Sequence, residues 1–265
     1  MKKIIVGMSG ASGVIYGIRT LMHLRAMDGV ETHLVLSKGA LTNIRIETDY
    51  EVKAVEALAD AHRRLTEGQG AELLWRDSRS KRLKAIDALK IYALKTAPAF
   101  EAAIMTGMRL AGPTDDYQVP VKQFARSLGV AFQILNDLND WRMDQDNKLS
   151  QGGDILGGRP TVLWALALEE LSPEKQQQLQ EMIEDESLPA PQRISRVRQL
   201  YHDARVFDKA CRLVDKYEMR AEEVADQLQP PELQRLFRYL IEVVLERPDE
   251  HEFGKPTPEV TTIGS

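Results

Sequence analysis

Apolar residues follow two different rhythms along this chain, and the change falls near residue 60. Residues 2–8 form a β-rich run that ends in Ser9-Gly10-Ala11-Ser12-Gly13. Val14, Ile18, Leu21, Leu24 and Met27 then recur three or four apart, the period of a helix, and Gly29 stands where a C-terminal glycine closes one. Residues 31–36 read as a second strand and Ser37-Lys38-Gly39 as the turn after it. Strand, helix and strand in this order predict a parallel β-α-β unit. From Ala61 onward no strand pattern is found. Pro98, Pro113, Pro120, Pro160, Pro173, Pro189 and Pro191 punctuate a series of helical patterns instead. Val121, Phe124, Leu128, Leu135 and Leu138 give one long helix an apolar face, and Ser172-Pro173 has the form of an N-cap followed by proline at the first helical position. Residues 193–227 and 231–246 read as two further amphipathic stretches, and a polar tail occupies 248–265. No internal repeat is present.

Composition narrows the class. At 265 residues, 43% hydrophobic and 28% charged, the chain has the balance of a globular protein with a sizeable core. The net charge of −5 and the absence of a Lys/Arg stripe argue against nucleic-acid binding. A single cysteine, Cys211, excludes an internal disulfide and a cysteine-based metal site, and its place in a helical pattern predicts a buried, inert thiol. No apolar run approaches the roughly 18 to 20 residues of a membrane span, so a cytoplasmic protein is expected. His23, His33, His62, His202 and His251 lack ligand spacing. Trp75, Trp141 and Trp164 read as packing residues, and residues 73–77 (LLWRD) as part of a core or dimer face.

Chemistry is suggested at two places. The first is the glycine-rich turn between strand and helix, where backbone N–H groups and the helix dipole favour a phosphate. It does not keep the dinucleotide spacing, and the second strand ends in Ser37-Lys38 rather than an acidic ribose ligand. The wider run is more specific. IVGMSGASGVIYGIRTL, VETHLVLSKGA and ETDYEVKAVEALAD closely resemble the start of the flavin prenyltransferases, which attach a dimethylallyl group to FMN. By position, that resemblance implies flavin contacts from Gly10, Ala11, Ser12 and Ser37. It covers about the first 60 residues, and the later segments that complete that family's site have no counterpart after Asp60.

The second place is FQILNDLND at 132–140. On a helix Gln133, Asp137, Asp140 and Asp144 fall three or four apart along one face, while the apolar stripe occupies another. Carboxylates grouped in this way need a cation or basic partner, and Mg²⁺ is commonly held by a few carboxylates together with substrate phosphate oxygens. A solvated acidic helix end fits the same pattern. GQGAEL at 68–73, YALKTAPAFEAA at 92–103, GGDILGGRPTVL at 152–163 and YLIEVVLER at 239–247 accompany this motif in the order seen in trans-isoprenyl diphosphate synthases, and residues 61–247 resemble that family.

The resemblance implies a mainly α fold: an isoprenoid-synthase-like helical domain, here preceded by a small Rossmann- or flavodoxin-like β-α-β fragment. It further implies Mg²⁺-dependent condensation of an allylic diphosphate with isopentenyl diphosphate, in a homo-oligomer or in a hetero-oligomer with a complete synthase. Lys95 and Thr96 correspond to the pair that grips the allylic diphosphate, with Gln133 facing the prenyl chain and carbocation. Asp137, Asp140 and Asn136 correspond to the second aspartate-rich metal motif, and Arg159 and Lys148 lie near the diphosphate. Three departures bear on activity. No DDxxD motif precedes Gly68, the family's basic residues for isopentenyl diphosphate belong to that same upstream region, and the second motif begins with Asn136 instead of Asp. Ser150 stands where a loop lysine is expected. The expectation is a prenyltransferase with impaired catalysis. The alternatives are a non-catalytic synthase-like subunit or fusion remnant, and an FMN-binding module.

Overall fold

The computed structural model describes residues 2–8, 14–25, 27, 30–47, 52–78, 81–142, 152–185 and 187–246. It contains a two-stranded parallel sheet and a succession of helices, in the order β1 (Lys2–Met8), α1 (Val14–Arg25), β2 (Val30–Leu36), α2 (Lys38–Glu47), α3 (Val52–Asp77), α4 (Ala85–Lys95), α5 (Ala97–Ala111), α6 (Gln118–Asn139), α7 (Gly153–Leu156), α8 (Val162–Glu170), α9 (Pro173–Glu184), α10 (Ala190–Asp203), α11 (Val206–Asp226) and α12 (Pro231–Val244). Two compact units are formed, residues 1–64 with 102–113, and residues 65–101 with 114–265. Residue 60, where the sequence changes character, lies inside α3, which runs unbroken from Val52 to Asp77. Among the described residues no helix is long and apolar enough to cross a membrane.

In the first unit β1 and β2 pair in parallel from Lys2↔Val30 to Met8↔Leu36, as the β-α-β pattern predicts. Alternation puts Val6, Met8, Leu34 and Leu36 on one face, where they join Ile18 and Leu21 of α1 and Ala40 and Ile44 of α2 in a small core. Ile5 and Val35, on the opposite face, are exposed. Residues 37–39 do not form a simple turn. The Ser37 hydroxyl accepts the Ala40 N–H at 3.1 Å and so caps α2, which begins at Lys38. Helix α1 ends at Arg25, before Met27, and Gly29 lies outside the described residues.

The second unit is built around α6, whose apolar stripe is fully realised. Val121, Phe124, Ala125, Leu128, Ala131, Ile134 and Leu138 are all buried, and α6 packs most extensively on α11. Phe124 meets Phe237 of α12 with ring centroids 4.4 Å apart. The tryptophans are packing residues: Trp141 lies 5.0 Å from the Tyr201 ring, and Trp75 and Trp164 meet edge-on at 6.5 Å. The Trp75 and Trp164 indole N–H groups donate to the carbonyls of Arg82 and Lys81, which pins the connection into α4. Leu73 and Leu74 stand exposed on α3, and Cys211 is half-buried, not fully enclosed. The stretch 193–227 is not continuous. It breaks where Arg205 takes the left-handed region at φ 52°, just before a new helix that begins with the buried pair Val206 and Phe207.

Two glycines allow the closest helix approach. A Cβ on Gly68 of α3 would lie 2.7 Å from the Lys95 nitrogen, and one on Gly129 of α6 would lie 2.9 Å from the Ala97 nitrogen. Both contacts fall on the Lys95–Ala97 junction, where α4 stops. Thr96 leaves helical geometry at φ −126°, and Pro98 cannot supply the amide that would carry α4 onward. A Gly129→Ala substitution is expected to push this junction apart and destabilise the fold by about 1–3 kcal/mol. Urea unfolding of the two proteins measures this, and an unchanged midpoint would show that the approach is not a constraint.

Candidate functional site

The close approach at Gly68 brings the next turn of α3 within side-chain reach of α4. Glu72, one helical turn further on the same face, extends across to α4, and the Lys95 ammonium donates to its carboxylate at 2.8 Å. Both side chains are largely enclosed, with 26% and 10% of Lys95 and Glu72 exposed. One turn back along α4 from Lys95 lies Tyr92, fully buried against α6. Its hydroxyl donates to Asp137 Oδ2 and accepts the Val162 N–H at 2.7 Å. The same N–H also approaches Asp137 Oδ2 at 3.1 Å. Val162 opens α8, and the preceding Thr161 caps that helix by accepting the Trp164 N–H at 3.2 Å.

Asp140 lies one turn beyond Asp137 and ends α6. Its carbonyl accepts the Gly152 N–H at 3.0 Å, and its Oδ2 accepts the Asp154 N–H at 3.1 Å. Asp154 in turn pairs with the Arg159 guanidinium at 2.6 Å. Glu72, Tyr92, Lys95, Gln133, Asn136, Asp137, Asp154, Arg159, Pro160 and Thr161 line a cleft of about 200 Å³. That is smaller than the roughly 300–1,000 Å³ typical of pockets that enclose a drug-sized ligand.

The structure therefore brings Lys95, Gln133, Asn136, Asp137 and Arg159 together around one cleft. Thr96 is buried at the end of α4 and Asp140 is half-buried at the end of α6, and neither lines that space. Lys148, Gly10, Ala11 and Ser12 lie outside the described residues, and the Ser37 hydroxyl is engaged in capping α2. Tyr92, Glu72 and Asp154 of the cleft were not singled out as site residues from the sequence, and neither were Pro160 and Thr161. Tyr92 and Glu72 each lie within a quoted motif, and their spacing from Lys95 and Gly68 placed them on the informative faces. Asp154, inside GGDILGG, carries no local signal for its partner Arg159.

The fit of a divalent ion follows from these bonds. Among the described residues no group of three or more His, Cys, Asp or Glu is placed to hold a metal. One oxygen of Asp137 is committed to Tyr92 and Val162, and one of Asp140 to the Asp154 amide. The described residues do not form a cradle for the ion. Of the candidate flavin contacts, Ser37 is the one among the described residues, and its hydroxyl oxygen accepts the Ala40 N–H.

Burial pushes the Asp137 carboxyl up to about 8, opposed by its hydrogen bond from Tyr92. Burial also raises Asp140, and it drives the Tyr92 phenol well above its ordinary range.

The folded helical unit is thus an all-α scaffold of the prenyl-diphosphate synthase type, with a charged cleft at the end of its central helix. The family described as polyprenyl synthetase matches residues 25–203, and the chain belongs to that family. Among solved structures, geranylgeranyl pyrophosphate synthetase from Pyrococcus horikoshii is similar with a TM-score of 0.65 and 19% identity, covering 79% of this chain and 64% of that one. A polyprenyl synthase from Caulobacter crescentus, solved with calcium and isoprenyl diphosphate, is similar with a TM-score of 0.65 and 23% identity, covering 79% of this chain and 62% of its own. The beginning of the chain is similar to a different protein. It is 55% identical over 60 residues to the flavin prenyltransferase UbiX of Salmonella typhimurium, covering 23% of this chain and 32% of that protein. The Escherichia coli K12 protein of the same name is 53% identical over 60 residues. The chain thus spans about a third of the length of these flavin prenyltransferases and less than two thirds of either synthase.

The raised Asp137 pKa has a consequence for stability. The folded state keeps a proton that the unfolded chain releases above its ordinary value of 3.8. This contribution is fully present below about pH 4 and is lost as pH rises towards about 8. Stability is expected to decline across that window. In Asp137→Asn the decline becomes shallower by up to one proton's worth, about 1.4 kcal/mol per pH unit. Urea midpoints at a series of pH values measure the slope, and identical slopes in the two proteins would contradict it.

Proposed function

We propose that the prenyl-transfer chemistry of the polyprenyl synthetase family is impaired in these 265 residues, which do not by themselves condense an allylic diphosphate with isopentenyl diphosphate. One observation carries this reading: among the described residues the cleft's cations are already matched by its own carboxylates, Lys95 by Glu72 and Arg159 by Asp154. A diphosphate gripped by Lys95 must displace a carboxylate that is 10% exposed and leave it without its partner, an arrangement that weakens binding strongly. Catalysis of allylic ionisation asks for the opposite, a preorganised surplus of positive charge facing the leaving group. The absence of DDxxD and the presence of Asn136 at the head of the second motif support the same conclusion.

The test is incubation of the chain with Mg²⁺, labelled isopentenyl diphosphate and allylic diphosphates of several lengths. No elongated product above a protein-free control is expected, and elongated product would overturn the proposal. A second reading, a non-catalytic subunit that pairs with another synthase chain or with its own copy, is favoured by the adjacent Leu73 and Leu74, 54% and 77% exposed on α3. Light scattering distinguishes a dimer from a monomer, alone and mixed with a complete synthase, and a monomer under both conditions removes this reading. A flavin role for the first 60 residues draws on the 55% identity to UbiX. Titration with FMN is expected to leave flavin fluorescence unquenched, and saturable quenching would establish a flavin site.

A further inference from the structure

We infer that Asp137 and Asp140 are positioning residues that fasten residues 152–162 to the end of α6, in place of holding a divalent ion. The inference deepens the reading of an impaired cleft and rests on it. The two aspartates grip the two ends of a single segment. At its start, the Asp140 carbonyl takes the Gly152 N–H at 3.0 Å and the Asp140 carboxylate takes the Asp154 N–H at 3.1 Å. At its end, the Val162 N–H is shared between the Tyr92 hydroxyl at 2.7 Å and Asp137 Oδ2 at 3.1 Å. Asp154 and Val162 stand in the first turns of α7 and α8, where backbone N–H groups have no partner within their own helix. The acidic residues of α6 supply those partners from outside and act as caps in trans.

Between the two holds the chain carries Asp154, Arg159, Pro160 and Thr161, all of which line the cleft. The fastening therefore sets where the Asp154–Arg159 pair stands relative to Lys95 and Glu72. Metal ligation by Asp137 competes with this arrangement. Mg²⁺ keeps several of its waters and needs near-octahedral geometry, whereas Asp137 is 5% exposed with its Oδ2 already shared by two donors. Removing the carboxylate would leave the buried Tyr92 hydroxyl without its acceptor and the Val162 N–H with the Tyr92 oxygen alone.

Residue-resolved amide hydrogen exchange on the full chain tests the assignment, with α11 amides reporting global opening. Slow exchange is expected at Asp154 and Val162 in the wild type. Asp140→Ala should speed the Asp154 amide by about tenfold or more, and Tyr92→Phe and Asp137→Leu should do the same at Val162, with α11 amides unchanged (tenfold corresponds to about 1.4 kcal/mol). If Asp137→Leu does not fold, the smaller change Asp137→Ala decides the second hold. Millimolar Mg²⁺ should leave the wild-type melting temperature and exchange unaltered. The assignment is overturned if Val162 exchange ignores loss of the Asp137 carboxyl, or if every variant speeds α11 amides equally with the segment. It is overturned also if Mg²⁺ raises the wild-type melting temperature and Asp140→Ala abolishes the rise. None of these readouts uses a prenyl substrate, so their failure is separable from an elongated product in the condensation assay.

Discussion

A buried carboxyl group at the end of a long apolar helix governs the arrangement of the helical unit. Asp137 sits on α6 with Tyr92 of α4 on one side and the first amide of α8 on the other. An unpaired carboxylate in this position would be costly, so the three groups constrain one another: the phenol needs an acceptor, the amide needs an acceptor, and Asp137 supplies one oxygen to both. Each belongs to a different element, so the contact fixes α4, α6 and α8 relative to one another more sharply than apolar packing alone, which tolerates sliding. The glycines at 68 and 129 serve the same end by letting α3 and α6 come close to the Lys95–Ala97 junction.

The cleft that results is chemically self-contained. Its charges occur as neighbouring pairs, and its one deeply buried acid is driven towards the neutral form by burial. Such a site resembles a structural polar network more than a cage for a highly charged substrate, because a network in which each member has its partner offers little free potential to an incoming anion. Membership of the polyprenyl synthetase family and the proposed impairment are compatible on these terms. A scaffold can persist when the groups at its mouth are turned to its own maintenance, since fold and chemistry are carried by different residues.

Much of this architecture was legible in the linear pattern. The alternation of Val6, Met8, Leu34 and Leu36 and the three-to-four spacing of Ile18 and Leu21 specify a parallel β-α-β unit, and the apolar stripe of residues 121–138 specifies α6. Helix spacing also placed Asp137 and Asp140 along one side of α6. It could not say that the first would be sealed against Tyr92 while the second reached back to the Asp154 amide, because those partners lie 45 and 14 residues away in sequence. Local reading misjudged two boundaries for similar reasons. Ser37 looks like a turn residue until its hydroxyl is seen to cap α2, and nothing local to Ala204-Arg205 announces the left-handed backbone that splits residues 193–227. The Glu72–Lys95 pair was hidden in the same way, since it depends on how near α3 can come, and that distance is set by a missing side chain at Gly68.

The most direct measurement is a crystal structure of the chain grown with Mg²⁺ and an allylic thiodiphosphate that resists ionisation. Asp137 Oδ2 should remain within hydrogen-bonding distance of the Val162 nitrogen, and Asp140 should remain on the Asp154 amide. Carboxylates of Asp137 and Asp140 turned outward onto magnesium beside a bound diphosphate would contradict this account.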